Sequence, residues 1–231
     1  MSYEHIFFDL DRTLWDFDTN SAETLTELFH SYNLQERTDT PSEKFISDYQ
    51  KVNEELWAKY RSGAIEKDEL RSTRFRVAFE LIQVSDGELI DSFADDYIRI
   101  CPRKTGMLPG AHELLGALKE KYTLHIITNG FEETQHEKMA ACGIDHHFEE
   151  VITSEAARAR KPHRRIFELA IARSGAHVNA SIMIGDDLEA DIVGAQNFGM
   201  DQIHIIKDGG SEKSQSATHT ITHLDQILSI L

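Results

Sequence analysis

The sequence predicts an α/β protein in which a parallel sheet carries helices on both faces and is interrupted by an inserted all-helical cap. Three observations carry that expectation. A single apolar run, HIFFDL at residues 5–10, opens the chain like a buried strand. A block from about residue 20 to 100 then shows only helical periodicity. After CPRKTGMLPG, short apolar runs alternate with helical stretches, the pattern of strands joined by crossover helices. With 231 residues the chain can bury a substantial core, as one domain or one domain with an insert.

Taken in order, SAETLTELFHSY places Ala22, Leu25, Phe29 and Tyr32 on one helical face. At TPSEKF, Thr40 with Pro41 in the first turn and Glu43 three residues on predicts a capping box. Phe45, Tyr49, Val52, Leu56 and Tyr60 continue as one stripe until Gly63 breaks it. Ser85 with Glu88 repeats the capping signal before Leu89, Phe93 and Tyr97, so about four helices and no strand are expected in this block. Beyond it, strands are expected at 124–128 (LHIIT), 150–153 (EVIT), 181–185 (SIMIG) and 202–206 (QIHII). Helices are expected at roughly 111–121, 133–142, 164–174 and 189–198, and GGSEKSQSA at 209–217 reads as a loop. The resulting division is a Rossmann-like core of residues 1–15 and 103–231 with a helical cap of residues 16–102.

Charge and composition exclude some partners. A formal net charge of −16 disfavours nucleic-acid polymers, which are held by Lys and Arg displacing counterions, but leaves room for a small anion at a local positive site. Cys101 and Cys142, in no metal-like spacing, read as reduced thiols. MSYEHIFFDL lacks a basic n-region and no stretch approaches the ~20 apolar residues of a membrane span, so no signal peptide, no membrane and a cytoplasmic location are expected, with a monomer as the default.

In parallel sheets ligands gather at the carboxyl ends of the strands. Here those ends read Asp9-Leu10-Asp11-Arg12-Thr13, Thr128-Asn129-Gly130, Ser154-Glu155 followed by Lys161-Pro162, and Gly185-Asp186-Asp187 with Asp191 a helical turn later. Acids, a hydroxyl, an amide and a lysine thus converge on one rim. That set suits phosphoryl transfer. Converging carboxylates need a hard divalent cation, for which Mg²⁺ fits. One aspartate can attack phosphorus while a carboxylate two residues on donates and later accepts a proton. The Thr128 hydroxyl, nearby backbone N–H groups and the Lys161 ammonium can hold the phosphoryl oxygens. Asp-x-Asp-x-Thr alone arises by chance in roughly one of twenty chains this long. Its position after an apolar strand, with three further motifs in order, makes the catalytic reading the stronger.

With these motifs in order the chain resembles the haloacid dehalogenase-like hydrolases: DLDRT at 9–13, Thr128 in IITNG, Lys161 in KP, and GDDLEAD at 185–191. The resemblance implies Asp9 as nucleophile, Asp11 as general acid and base, and a metal held by the Asp9 carboxylate, the Asp11 backbone carbonyl and Asp186. Within that superfamily DLDRTLWDFDTNS, TNGFEETQHEKM and KPHRRIFELA look closest to noncanonical pyrimidine 5′-nucleotidases, which implies nucleoside 5′-monophosphates as substrates. A sugar phosphatase, a phosphomutase sharing the nucleophile, and a non-catalytic binding protein are the alternatives; a dehalogenase has no oxygen leaving group for Asp11 to protonate. Where relatives carry Gly and few charges this chain has AARAR, so Arg158 and Arg160 either contact a substrate anion or face water.

The remaining candidates are less direct. Asp187 and Asp191 are expected behind the metal ligands, Asp191 orienting them or Lys161, or serving as a first-turn helix acid. Asn129 is expected to act mainly through its backbone N–H. Phe17 is a candidate for lining the site, and Trp57, Tyr60, Arg61, Arg71 and Arg74 are candidates for substrate contacts, against a plainer role as cap core and solvated helix face. His136, His146 and His147 lack the spacing of a zinc site.

Overall fold

The computed structural model describes residues 3–206 and 217–231. The chain divides into two compact units, residues 1–17 with 105–231 and residues 18–104.

The first unit is built on a six-stranded sheet in which every neighbouring pair is parallel. Strand β1 (His5–Phe8) sits inside it, Phe8 facing Ile126 on one neighbour and Ile184 on the other. A strand hydrogen-bonded on both edges and covered on both faces has no solvent side, which is why Ile6, Phe7 and Phe8 are apolar in a row rather than alternating with polar residues. The chain then leaves for the second unit, where α1 (Phe17–Ser31), α2 (Ser42–Arg61), α3 (Lys67–Leu81) and α4 (Gly87–Ile100) are four helices with no strand among the described residues. Their interior is aromatic: Phe79 meets Phe45 and Phe93 edge-on at 5.4 and 5.0 Å between ring centroids. Neither expected capping box forms. Pro41 occupies the cap position of α2 with no side-chain bond, because Thr40 instead donates its N–H to the Thr38 hydroxyl. At α4 the cap is Asp86, one residue beyond Ser85, whose carboxylate accepts from the Leu89 N–H at 3.2 Å.

On its return the chain alternates as expected: α5 (Ala111–Lys119), β2 (Thr123–Thr128), α6 (Glu132–Cys142), β3 (Phe148–Thr153), the single turn α7 (Ser154–Ala157), α8 (Arg164–Ser174) and β4 (Ser181–Gly185). The segment expected as one helix from 189 is a π-helical stretch, Leu188–Val193, followed by α9 (Gly194–Phe198). Then come β5 (Asp201–Ile205), an unexpected short strand β6 (His219–Ile221) and α10 (Ile227–Ile230). The strand order is β3-β2-β1-β4-β5-β6, so the chain winds both ways from β1 and the topological switch lies at its end. One face of the sheet packs Phe7, Ile127, Ile152 and Met183 against Ile166, Phe167 and Ala170 of α8. Of the expected loop at 209–217, residues 209–216 lie outside the described residues. Cys101 and Cys142 form no disulfide, and no helix among the described residues is long and apolar enough to cross a membrane.

The two connections that leave and re-enter the first unit run together. Asp16 N–H donates to Gly106 C=O at 3.0 Å, Leu108 N–H donates to Leu14 C=O at 2.8 Å, and Trp15, fully buried, bridges Met107.

Candidate active site

Asp9 is the first residue beyond β1, and its N–H still follows the ladder, donating to Ile184 C=O at 2.9 Å. The chain turns sharply just after it. The N–H groups of Leu14 and Trp15 both donate to Leu10 C=O, and Arg12 takes a left-handed φ of 62° to close the turn. Few non-glycine residues adopt that conformation, and here it aims Asp9 and Asp11 off one short segment. From β4, Asp186 arrives beside Asp9. The hydroxyl of Thr13 donates to Asp186 Oδ1 at 3.4 Å, and a ring nitrogen of His204 lies 3.0 Å from the Asp186 carbonyl. Asp191, on the π-helical stretch, completes a group of three carboxylates whose oxygens lie within 4.8 Å of one another, Asp9, Asp186 and Asp191. Gly185 makes this approach possible, since a Cβ there would fall on the Asp191 carboxylate.

Lys161 holds two of the three. Its ammonium, with a side chain only 2% exposed, lies 2.6 Å from Asp9 Oδ1 and 2.6 Å from Asp191 Oδ1, and donates to Ile127 C=O at 2.7 Å. Its backbone is clamped by Asn129: the Lys161 N–H donates to Asn129 Oδ1 at 2.7 Å and Asn129 Nδ2 donates to Lys161 C=O at 3.1 Å. The Asn129 side chain therefore positions the lysine rather than pointing at a ligand. Asp187 caps the following helical stretch, accepting from the N–H groups of Glu189 and Ala190, while its own N–H donates to Asp191 Oδ2 at 3.1 Å.

The second carboxylate of the first motif is held from α6. Gln135 Nε2 donates to Asp11 Oδ2 at 2.9 Å and to the Thr128 hydroxyl at 2.7 Å, and Lys138 Nζ lies 2.5 Å from Asp11 Oδ1. Gly130 leaves room for Gln135, whose amide would collide with a Cβ there, and the Lys138 ammonium also sits 4.3 Å from the centre of the Trp15 ring. Gln135 and Lys138 were not among the residues singled out from sequence. The signal was available: α6 buries Gln135, Lys138 and Met139 where a helix on a sheet should bury an apolar stripe.

Electrostatics make the three-aspartate group expectant of a cation. Burial pushes the Asp9 carboxyl up to about 7; Lys161 pulls it back, while Asp191 and Asp11 push it further up. Burial likewise lifts Asp186 well above the usual carboxylate range, with Asp9 and Asp191 adding to it and Arg12 opposing. Asp191 is raised by burial against the pull of Lys161. For Lys161, burial disfavours the ammonium, yet Asp191 and Asp9 together hold its pKa above the ordinary value. A donor set made only of carboxylate oxygens fits a hard divalent cation, which would remove the mutual repulsion that one lysine leaves unbalanced.

The family profile described as haloacid dehalogenase-like hydrolase matches residues 6–205, across β1 to β5 and every residue above. The chain belongs to the haloacid dehalogenase-like hydrolases. Among relatives, it is similar to the pyrimidine 5′-nucleotidase YjjG of Escherichia coli (strain K12), 34% identical over 201 residues, 87% of this chain and 84% of that one. It is also 34% identical over 206 residues to the pyrimidine 5′-nucleotidase PynA of Streptococcus pneumoniae, covering 88% and 84%. Of solved structures, the magnesium-bound HAD-hydrolase YfnB of Bacillus subtilis superposes with a TM-score of 0.88 at 27% identity, covering 100% of this chain and 99% of that one.

The other candidates are distributed over both units of this hydrolase. Phe17 packs on Trp15, ring centroids 6.2 Å apart, with the Arg12 guanidinium 4.8 Å above its ring. In residues 18–104, Tyr60 is buried and meets Trp57 edge-on at 5.4 Å, and Arg61 pairs with Glu54 at 2.9 Å. Arg71 is half-buried, whereas Arg74 is buried and so is not part of a solvated face. Arg158 is exposed and ends α7 with a left-handed φ of 50°. Arg160 is half-buried. His136 and His146 are exposed, and no histidine joins the acidic group.

Proposed function

We propose that the protein is a Mg²⁺-dependent phosphomonoesterase acting through an aspartyl-phosphate, with nucleoside 5′-monophosphates, pyrimidine or modified, as substrates. The observation that carries the reading is the pair of carboxylates on one turn after β1, one bound to a buried lysine and the other to Gln135 and Lys138. Two similarly placed acids in unlike surroundings suit one nucleophile and one proton carrier.

In this mechanism an Asp9 carboxylate oxygen attacks phosphorus and the bond to the ester oxygen breaks. Asp11, protonated, passes its proton to the departing alkoxide and is left as carboxylate. Asp11 then takes a proton from water as the water oxygen attacks phosphorus, the bond to Asp9 breaks, and inorganic phosphate leaves. Gln135 and Lys138 keep Asp11 in reach of both oxygens, and Gln135 ties that position to the Thr128 hydroxyl, which would donate to a phosphoryl oxygen. Lys161 would join it by exchanging one of its present contacts for a phosphoryl oxygen. Asp191 supports the reaction by holding Lys161. Asp9, the Asp11 backbone carbonyl and Asp186 would hold Mg²⁺. When bound, it neutralises charge on the phosphoryl group and on the acids around it.

Similarity to two pyrimidine 5′-nucleotidases over most of their length supports the substrate class. The experiment is phosphate release with Mg²⁺ from a panel of nucleotides and sugar phosphates, alongside Asp9→Asn. Release from nucleoside monophosphates that drops at least ~10³-fold in the variant is the expected outcome, since losing a covalent nucleophile forfeits the two-step route. Release from sugar phosphates alone discards the substrate, and equal behaviour of parent and variant discards the mechanism.

A further inference from the structure

Thr128 ends β2, the strand paired directly with β1, and its side chain is buried. A hydroxyl has two lone pairs and one proton to place. Both lone pairs are taken here, by Gln135 Nε2 donating to Oγ1 at 2.7 Å and by the Gly130 N–H donating to it at 3.0 Å. Among the described residues no acceptor takes the proton, so donation is the one bond this hydroxyl has left to make. An amide can face either way, and its neighbours fix that of Gln135. Asp11 Oδ2 lies 2.9 Å from Nε2, and the other oxygen of that carboxylate lies 2.5 Å from the Lys138 ammonium. A carboxylate paired with an ammonium accepts and does not donate. Turning the amide over would set oxygen against oxygen at Asp11 and bring Oε1 to where it captures the Thr128 proton. The observed orientation has a visible cost, because Gln135 Oε1 is buried without a partner. A buried acceptor left unmatched calls for a reason, and the setting of the Thr128 hydroxyl supplies one.

We propose that Gln135 is a positioning residue that makes Thr128 an obligate hydrogen-bond donor toward a tetrahedral oxyanion. This rests on the phosphatase reading and deepens it. With both lone pairs occupied, Thr128 offers a ligand only its proton, so the phosphoryl oxygen it meets must accept. The hydroxyl is set before the ligand arrives and needs no reorganisation as charge builds on that oxygen. Lys138, Asp11, Gln135 and Thr128 form one hydrogen-bonded series, in which a single amide sets both the acid and the hydroxyl.

The test is a double-mutant cycle on 4-nitrophenyl phosphate with Mg²⁺, comparing Gln135→Met, Thr128→Val and the double variant with the parent. This ester separates the two tasks of Gln135. Its leaving group departs as a stable anion without the Asp11 proton, and kcat/KM extends only to the aspartyl-phosphate, before Asp11 acts as base. Thr128→Val lowers kcat/KM about 100-fold, the worth of one donor to developing charge. Gln135→Met lowers it about 10-fold, the worth of one hydrogen bond, and adds nothing in the Thr128→Val background. In a Thr128→Ser background, which keeps a hydroxyl, the same loss returns. Gln135→Leu serves as a second replacement with the same expectation. Calorimetric binding of inorganic phosphate with Mg²⁺ follows the same pattern across the cycle. Losses that multiply in the double variant, or replacements of Gln135 that behave as the parent, overturn the proposal. A parent that hydrolyses no ester overturns the phosphatase reading instead. The phosphate-binding cycle then decides the role of Gln135 by itself, and a parent that binds no phosphate overturns that role too.

Discussion

Lys161 and Arg74 are both cations withdrawn from water, one at the end of the sheet and one inside the helical unit, and their surroundings are opposites. Lys161 has two carboxylates at 2.6 Å and a carbonyl at 2.7 Å, all three donors of the ammonium engaged. Arg74 has one amide oxygen at 3.4 Å and two ring faces. The difference separates two uses of buried charge. A saturated cation fixes the geometry of the acids around it and is built into the fold. An unsaturated one fixes no acid and is held by a distant amide oxygen and two ring faces.

Breaking the saturated cluster is expected to have the larger effect. Asp191→Ala strands Lys161 with half of its charge partners and should lower stability by about 3–5 kcal/mol, the cost of unpairing a buried ion. Chemical denaturation reads this directly, and a loss below about 1 kcal/mol would mean that Asp9 alone suffices. A smaller effect is expected at the opposite end of β2, where a third buried titratable group stays neutral. His125, fully buried, has a ring nitrogen 3.0 Å from His5 and stacks on Phe7 with centroids 4.7 Å apart. Burial first, and then His5, lowers its pKa from 6.5 to about 4. The folded protein therefore binds fewer protons than the unfolded chain between these values. This contribution is intact above pH 6.5 and fades as pH falls toward 4, with about 2 kcal/mol lost between pH 7 and pH 5. Unfolding free energies at the two pH values, for the parent and His125→Phe, should differ in slope by that amount; parallel slopes would show that the ring is already charged. The smallest effect belongs to Arg74→Met, which strands no charge and breaks one long hydrogen bond to Asn53, and should leave stability within about 1 kcal/mol of the parent. A loss as large as that of Asp191→Ala would erase the contrast between the two cations.

Strand content was legible because buried parallel strands are short runs of Ile, Val and Phe, and four of the later five lie within two residues of their expected limits. Strand β6 was missed because three residues, HTI in a polar tail, carry too little periodicity to stand out. The capping boxes failed for a local reason: a Ser or Thr three residues before a Glu competes with its neighbours for the cap. Asp86 took the place of Ser85, and Pro41 that of Thr40. Gln135 and Lys138 were hidden in a helix read only for its length, although their spacing places both on one buried face.

By itself the sequence determined the alternating core, the helical insertion and the acids that end β1 and β4, because strand ends are local and their residues stand next to the apolar runs that mark them. Only the tertiary structure decided which charges meet. Asp9 and Lys161 are 152 positions apart and Asp11 and Lys138 are 127 apart, so their pairing is set by strand order and not by spacing. Arg74 likewise looks like any helical arginine in one dimension. That Asn53 and two ring faces surround it, with no carboxylate among the described residues paired to it, is visible only in three dimensions.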